Sequence, residues 1–266
     1  MYKKEDPQNL SIYRAVTLLL AVNKIFEQLL CYQLRDKFET IFENSTSAYR
    51  KSYSCETTLI RLVEDWKYER DTGETVTVLS TDMSKAFDSV HPVLLLAKLK
   101  ANGFPESALN LMKSYFVGRE NRSRVGTATS SWKEIKRGRP QGSSLGPMLW
   151  NIYRNDLFYI QRDIHLSVYA DDHQFYYAHK DPDQAVMVIN NDRRRTSRWY
   201  SKNFLQGNPS KYQATILSND STQRDVQIYT FIVQPMDEVN LLGVLIDRKF
   251  CLVTMCLQLA RRLVCG

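Results

Sequence analysis

Apolar residues recur at helical spacing through residues 21–39, "AVNKIFEQLLCYQLRDKFE", where Ile25, Phe26, Leu29, Leu30, Leu34 and Phe38 mark one side of a helix. A second helix fits 55–71, with Ser54 as its cap and Gly73 as its stop. The period then changes. "TVTVLSTD" at 75–82 is rich in β-branched residues and reads as a buried strand running into Asp82. Pro92 opens a short amphipathic helix ended by Gly103, and another helix follows at about 105–116. Residues 119–137 form a basic β-hairpin region, and the loop "RGRPQGSSLGP" leads into a helix at 147–157. A strand, a turn and a strand at 166–178 precede a long helix at about 182–205, and 213–246 alternates short strands with turns. Strands and helices intermix without strict βαβ alternation, so the pattern predicts an α+β fold with helices packed on a largely antiparallel sheet. No repeat or low-complexity linker divides the chain, which reads as one continuous globular unit.

Charge adds a direction. Thirty-six Lys and Arg against 29 Asp and Glu leave a net charge of +7, which favours a polyanionic partner, nucleic acid above all. The five cysteines lack CxxC spacing and the four histidines lack HxxxH or HExxH spacing, so structural zinc is not expected. The longest apolar run, "AVTLLLAV" at 15–22, is too short to span a bilayer and is expected in the core, with no membrane partner. Without a secretory signal, the expectation is an intracellular protein with reduced thiols, in cytoplasm and nucleus.

One stretch breaks the pattern. "LSVYADDHQFYYA" at 166–178 sets Asp171 and Asp172 side by side in an apolar, aromatic run, where a continuous strand would send them to opposite faces. A tight turn there would halt pairing and let both carboxylates project beyond the strand ends. Asp82 closes another strand, and the glycine-rich loop lies between them in sequence. Acidic groups converging from neighbouring strand ends can hold two hard cations such as Mg²⁺. Such a pair can activate a hydroxyl for in-line attack on phosphorus and stabilise the leaving oxygen. A solvent-facing Asp–Asp turn is the plainer alternative, and the residues alone leave both open.

The ordered set "DMSKAFDSV", "GRPQGSSLGP" and "YADD" resembles the reverse transcriptase family, in particular the polymerases of non-LTR, LINE-like retrotransposons. The likeness extends to "YKKEDPQNLSIYRAVTLL", "SAYRKSYSCETTLIRL", "NPSKYQATILS" and "VNLLGVLIDRKF", nearly the entire chain. It implies a right-hand polymerase, with fingers at about 1–75 and 119–143, a palm at about 76–118 and 144–250, and the truncated start of a thumb at 251–266. It implies RNA-directed DNA polymerisation from dNTPs on an RNA template with a DNA primer, using two Mg²⁺ ions or Mn²⁺ in their place. The alternative outcome is a thumb-less remnant that at most binds RNA.

By the same resemblance, Asp82, Asp171 and Asp172 match the metal-binding triad, with the Met83 carbonyl as an extra ligand. Lys211 matches a lysine that protonates the leaving pyrophosphate. Phe87 packs beneath the incoming sugar, and Gln141 and Gly142 lie beside the nucleotide. Arg14, Arg50 and Lys51 match finger positions for triphosphate or template, as bidentate arginine suits phosphate. Arg119, Arg122, Arg124 and Arg137, with the helix "NDRRRTSRWYSK", are placed to track a nucleic-acid backbone, an exposed helix face being the plainer reading of the arginine run. His173 and Asp88 read as structural. The chain departs from the family at Ala15, where a proline is usual, and at Tyr212, where Thr or Ser follows the lysine.

Overall fold

In the computed structural model, which describes residues 17–84, 86–138, 142–218, 226–228 and 231–250, the periodic segments become the elements their patterns predict. The helices are α1 (Ala21–Glu39), α2 (Cys55–Asp71), α3 (Pro92–Ala101), α4 (Glu106–Phe116), α5 (Gly146–Asn155) and α6 (Pro182–Lys202). The first strands are β1 (Thr75–Thr81), β2 (Met83–Ser84), β3 (Glu120–Asn121), β4 (Arg124–Val125), β5 (Ala128–Thr129) and β6 (Lys133–Glu134). Then follow β7 (His165–Tyr169), β8 (Asp172–His179), β9 (Gln206–Gly207), β10 (Gln213–Leu217), β11 (Val226–Ile228), β12 (Phe231–Val233), β13 (Glu238–Leu241) and β14 (Val244–Asp247). No helix among the described residues is long and apolar enough to cross a membrane. The chain divides into two compact units, residues 1–42 with 85–154 and residues 43–84 with 155–266.

The second of these units is built on an antiparallel sheet in the order β10-β1-β8-β7. The β-branched run at 75–81 becomes its buried strand β1, covered on both faces. One face meets α2 through Leu59, Leu62 and Trp66, which cluster with Val76, Val78, Tyr176, Leu217 and the β13–β14 hairpin. Ser54 starts α2 as expected, in a reciprocal capping box with Thr57. Gly73 follows at φ +84°, the left-handed conformation that ends a helix easily only with glycine. On the other face α6 packs on β1 and β8.

The other unit holds α1, α3, α4, α5 and the short ribbons β3–β6 and β4–β5. Phe38 is fully buried here, against Phe42 and Phe104. Two expectations are corrected here: in the apolar run 15–22, Leu18, Leu20 and Val22 are exposed rather than in the core, and the stripe read along α1 holds only in part. Leu30 and Phe38 are buried, but Ile25, Phe26 and Leu29 are exposed at 59%, 47% and 57%, while Glu27 is buried. Helical spacing identifies a face, but which side is covered depends on distant segments, here α4 and the loop before α5.

Candidate active site

The register of the sheet assembles the acidic groups. β1 and β8 run antiparallel with Thr81 opposite His173, so the next positions outward, Asp82 and Asp172, are neighbours across the ladder. β7 and β8 are joined by a two-residue turn, Ala170–Asp171, with Tyr169 opposite Asp172. Ala170 sits at φ +55°, a left-handed conformation that costs a residue with a side chain about 1 kcal/mol. Only Asp171 therefore lies in the turn proper, and Asp172 is the first residue of β8 rather than part of a free loop.

The three carboxylates are close enough to repel. Asp172 has its carboxyl pushed up to about 6, first by burial, then by the charges of Asp171 and Asp82, with Lys211 opposing. Lys211 Nζ donates to Asp82 Oδ2 at 2.7 Å. Its side chain is 51% exposed, so the pair contributes at most about 1 kcal/mol, and the ammonium is not locked in place. Met83 pairs with Gly207 in the β2–β9 ribbon, and Asn208 donates its N–H to the Asp82 carbonyl at 2.9 Å. The turn that presents Lys211 is thus hydrogen-bonded to the residue it faces. As the side chains stand, no three Asp, Glu, His or Cys residues among those described are gathered to hold one metal ion. The donor chemistry nevertheless suits a hard cation: carboxylate oxygens, crowded enough that their own repulsion raises Asp172.

Behind the turn, His173 is buried and its Nδ1 lies 2.7 Å from Tyr200 Oη, the packing role expected of it. Tyr169 keeps its proton, since a hydrogen bond with Cys55 and then burial raise its phenol. Arg50 donates from Nη1 to the Glu43 and Thr46 carbonyls, both at 2.9 Å, and stacks on Tyr53. It fastens the segment whose Ser45 and Ser47 backbones bond to Val168 of β7. Lys51 is exposed.

The exposed-face reading of the arginine run needs correction at its first member. Arg193 is 1% exposed, its guanidinium stacked on Phe175 at 4.6 Å and near Tyr200 at 5.5 Å. It also hydrogen-bonds Tyr212, whose phenol burial pushes up to about 12 while Arg193 pulls it down. Arg194 and Arg198 are exposed. Asp192 is fully buried. Its Oδ2 accepts the backbone N–H groups of Arg162, Asp163 and Ile164 at 3.1, 3.1 and 3.3 Å, and its Oδ1 pairs with Arg195. Asp192 thereby fixes the approach to β7. From sequence alone Asp192 has no assigned role and Arg193 is placed on the surface, although the spacing of Ala185, Val186, Ile189, Asp192, Arg193 and Thr196 puts both on the buried stripe of α6.

In the other unit, Phe87 sits in the 3-10 turn Ala86–Asp88 with its ring edge-on to Trp150 at 5.4 Å. Gly138 starts the glycine-rich loop at φ +84° and donates to the Val90 carbonyl at 2.8 Å. A Cβ there would lie 2.8 Å from the Asp88 carbonyl oxygen, so only glycine fits, and Asp88 is structural through its backbone. Gly142, at φ +106°, is exposed. Arg119 stacks on Tyr115 and Arg122 on Trp132, Arg124 donates to the Gly126 carbonyl, and Arg137 is exposed. Arg14 and Gln141 lie outside the described residues.

Residues 2–246 match the family model described as "Reverse transcriptase (RNA-dependent DNA polymerase)". The chain is 29% identical over 246 residues to "Probable RNA-directed DNA polymerase from transposon X-element" of Drosophila melanogaster, covering 89% of this chain and 27% of the relative. It is 25% identical over 258 residues to the corresponding protein "from transposon BS" of the same fly, covering 92% of this chain and 28% of the relative. The chain thus spans roughly a quarter of the length of these relatives. Among solved structures, apo telomerase from Candida tropicalis truncated from its C-terminal domain superposes with a TM-score of 0.60 at 13% identity, over 84% of this chain and 45% of that one. At that identity the likeness is one of fold.

Proposed function

This chain belongs to the reverse transcriptase family, and from that premise we propose that it polymerises DNA on an RNA template as part of a non-LTR retrotransposon polymerase. The observation that carries the proposal is the juxtaposition of Asp82, Asp171 and Asp172 at adjoining strand ends, with Lys211 on Asp82. In this reading the four-stranded sheet with α6 belongs to the palm, and α2 to the fingers. The three aspartates, with the Met83 carbonyl, would hold two divalent cations, magnesium or manganese. Bound there, the ions supply Lewis acidity toward the primer 3′-hydroxyl and the dNTP phosphates.

The remaining work falls to the side chains. Lys211 holds a proton at Nζ and delivers it to the leaving pyrophosphate. Phe87, braced by Trp150, presents a ring to the deoxyribose and leaves no room for a 2′-hydroxyl. Gly142 lets its backbone approach the nucleotide. Exposed Arg122, Arg124 and Arg137, with Arg194 and Arg198, attract the phosphate backbone of template and primer. Arg50 acts indirectly, by fixing the segment beside β7. Action is expected inside the cell, in cytoplasm and nucleus.

The test is primer extension on an RNA template with Mg²⁺ and dNTPs, alongside the double variant Asp171→Ala, Asp172→Ala. Extension by the parent and none by the variant is the expected outcome. If the folded parent binds RNA but never extends a primer, the chain is a non-catalytic RNA-binding remnant. Extension by both proteins would remove the aspartates from the mechanism.

A further inference from the structure

α1 turns one acidic side chain inward. Glu27 is 1% exposed, and its two oxygens serve different elements. Oε2 accepts the Ser144 N–H at 2.7 Å and, at the limit of hydrogen bonding, the Leu145 N–H at 3.5 Å. Oε1 accepts the Tyr115 hydroxyl of α4 at 2.8 Å. Tyr115 Oη lies 2.9 Å from Ser143 Oγ, and Ser143 Oγ accepts the Gly146 N–H at 2.9 Å. Burial, ahead of every other influence, pushes the Tyr115 phenol up to about 12, so it stays a donor to the carboxylate at neutral pH. One buried acid therefore joins α1, α4 and the start of α5.

Its location gives this network a consequence for nucleotide binding. Ser143 and Ser144 directly follow Gly142, and the free N–H groups at the start of a helix attract anions. Glu27 already takes those of Ser144 and Leu145, so a triphosphate cannot use them. What the carboxylate supplies instead is a fixed position for the end of the glycine-rich loop, whose other end is pinned by Gly138 against Asp88 and Val90.

We propose that Glu27, acting through Ser143 and Ser144, is a positioning residue that holds Gly142 for the incoming nucleotide. This rests on the polymerase reading above. A residue needed only for folding would lower stability without selectively changing nucleotide affinity.

The experiment compares wild type with Glu27→Gln, Tyr115→Phe and Leu99→Ala. Leu99→Ala empties a fully buried position on α3, outside this network, and serves as the stability control. Two quantities are read: hydrogen exchange of the amides of residues 143–146, and equilibrium binding of a non-hydrolysable dNTP analogue to the primer–template complex with Mg²⁺. Glu27→Gln should speed exchange at Ser144 and Leu145 and weaken nucleotide binding about tenfold, the equivalent of one hydrogen bond to a charged group. Tyr115→Phe should do the same to a smaller extent, and Leu99→Ala should leave nucleotide affinity unchanged. Unchanged affinity in Glu27→Gln, or an equal loss in Leu99→Ala, would overturn the positioning role alone. Wild type that binds RNA but no nucleotide would overturn the polymerase reading, and this role with it.

Discussion

The turn that presents Lys211 is anchored by an overlap-free fit between two residues, and breaking that fit has a calculable effect. Gly207 has no side chain, and a Cβ built there would overlap Tyr212 Oη outright and lie 2.8 Å from Cζ. Gly207 is not among the residues at positive φ, so alanine suits the backbone and the clash alone decides the outcome. Moving this half-buried ring aside costs about 1–3 kcal/mol. Losing the Arg193–Tyr212 hydrogen bond adds about 1 kcal/mol, for a total destabilisation by Gly207→Ala of about 2–4 kcal/mol. With Tyr212→Thr in the background the ring is gone. The same alanine then restricts the unfolded chain and should be neutral or stabilising by about 0.4–1 kcal/mol. Urea denaturation of the four proteins in a double-mutant cycle should give a coupling of at least about 2 kcal/mol. Additivity within about 0.5 kcal/mol would refute the reasoning, because Tyr212 would then not occupy the space above Gly207.

Two further outcomes follow from buried carboxylates. Asp172 titrates near 6 in the folded chain against 3.8 for an ordinary aspartate, so folding opposes its ionisation. The penalty is absent below about pH 4, develops between 4 and 6, and is complete at neutral pH. Asp172→Asn should therefore raise stability by about 1–2 kcal/mol at pH 7.5 without divalent ions, a value discounted for partial solvation, and change little at pH 4. Thermal melts at the two pH values check this, and a variant no more stable than wild type at pH 7.5 counts against it. Asp192→Ala strands three backbone N–H groups, while Arg195 keeps Asp163 at 3.4 Å, and should cost about 2–4 kcal/mol by urea denaturation. A loss below about 1 kcal/mol would mean that water replaces the carboxylate.

What could be read from sequence was local chemistry. Ser54 and Gly73 bound α2 because a cap and a left-handed stop are properties of single residues. The hairpin at 165–179 followed from apolar alternation broken by two aspartates, and Asp82 from its place at the end of a β-branched run. The register that makes Asp82 and Asp172 neighbours was not legible, because strand pairing is a long-range choice. Neither was the inward face of α1, where burial of Glu27 depends on donors 88 to 118 positions away. Arg193 looked solvated because three consecutive arginines usually are. It is buried because Phe175 and Tyr200 offer ring faces and Tyr212 offers an oxygen.

These misses have a common cause. The carboxylate turn is strained at Ala170 and self-repelling at Asp172, so it does not stabilise its own geometry. Apolar contacts in the sheet are non-directional and cannot by themselves fix a strand end to within a fraction of an ångström. Directional, buried polar groups can, and they sit where each supporting segment enters the site. Asp192 holds the approach to β7, and the Arg193–Tyr212 pair steadies the turn bearing Lys211. Such groups are expensive unless fully partnered, which is why they resemble surface residues in composition and core residues in position. An apolar residue of equal volume at Asp192 or Arg193 alone leaves the same partners unpaired, so it should cost about as much stability as alanine does and release the strand end or turn that each one fixes.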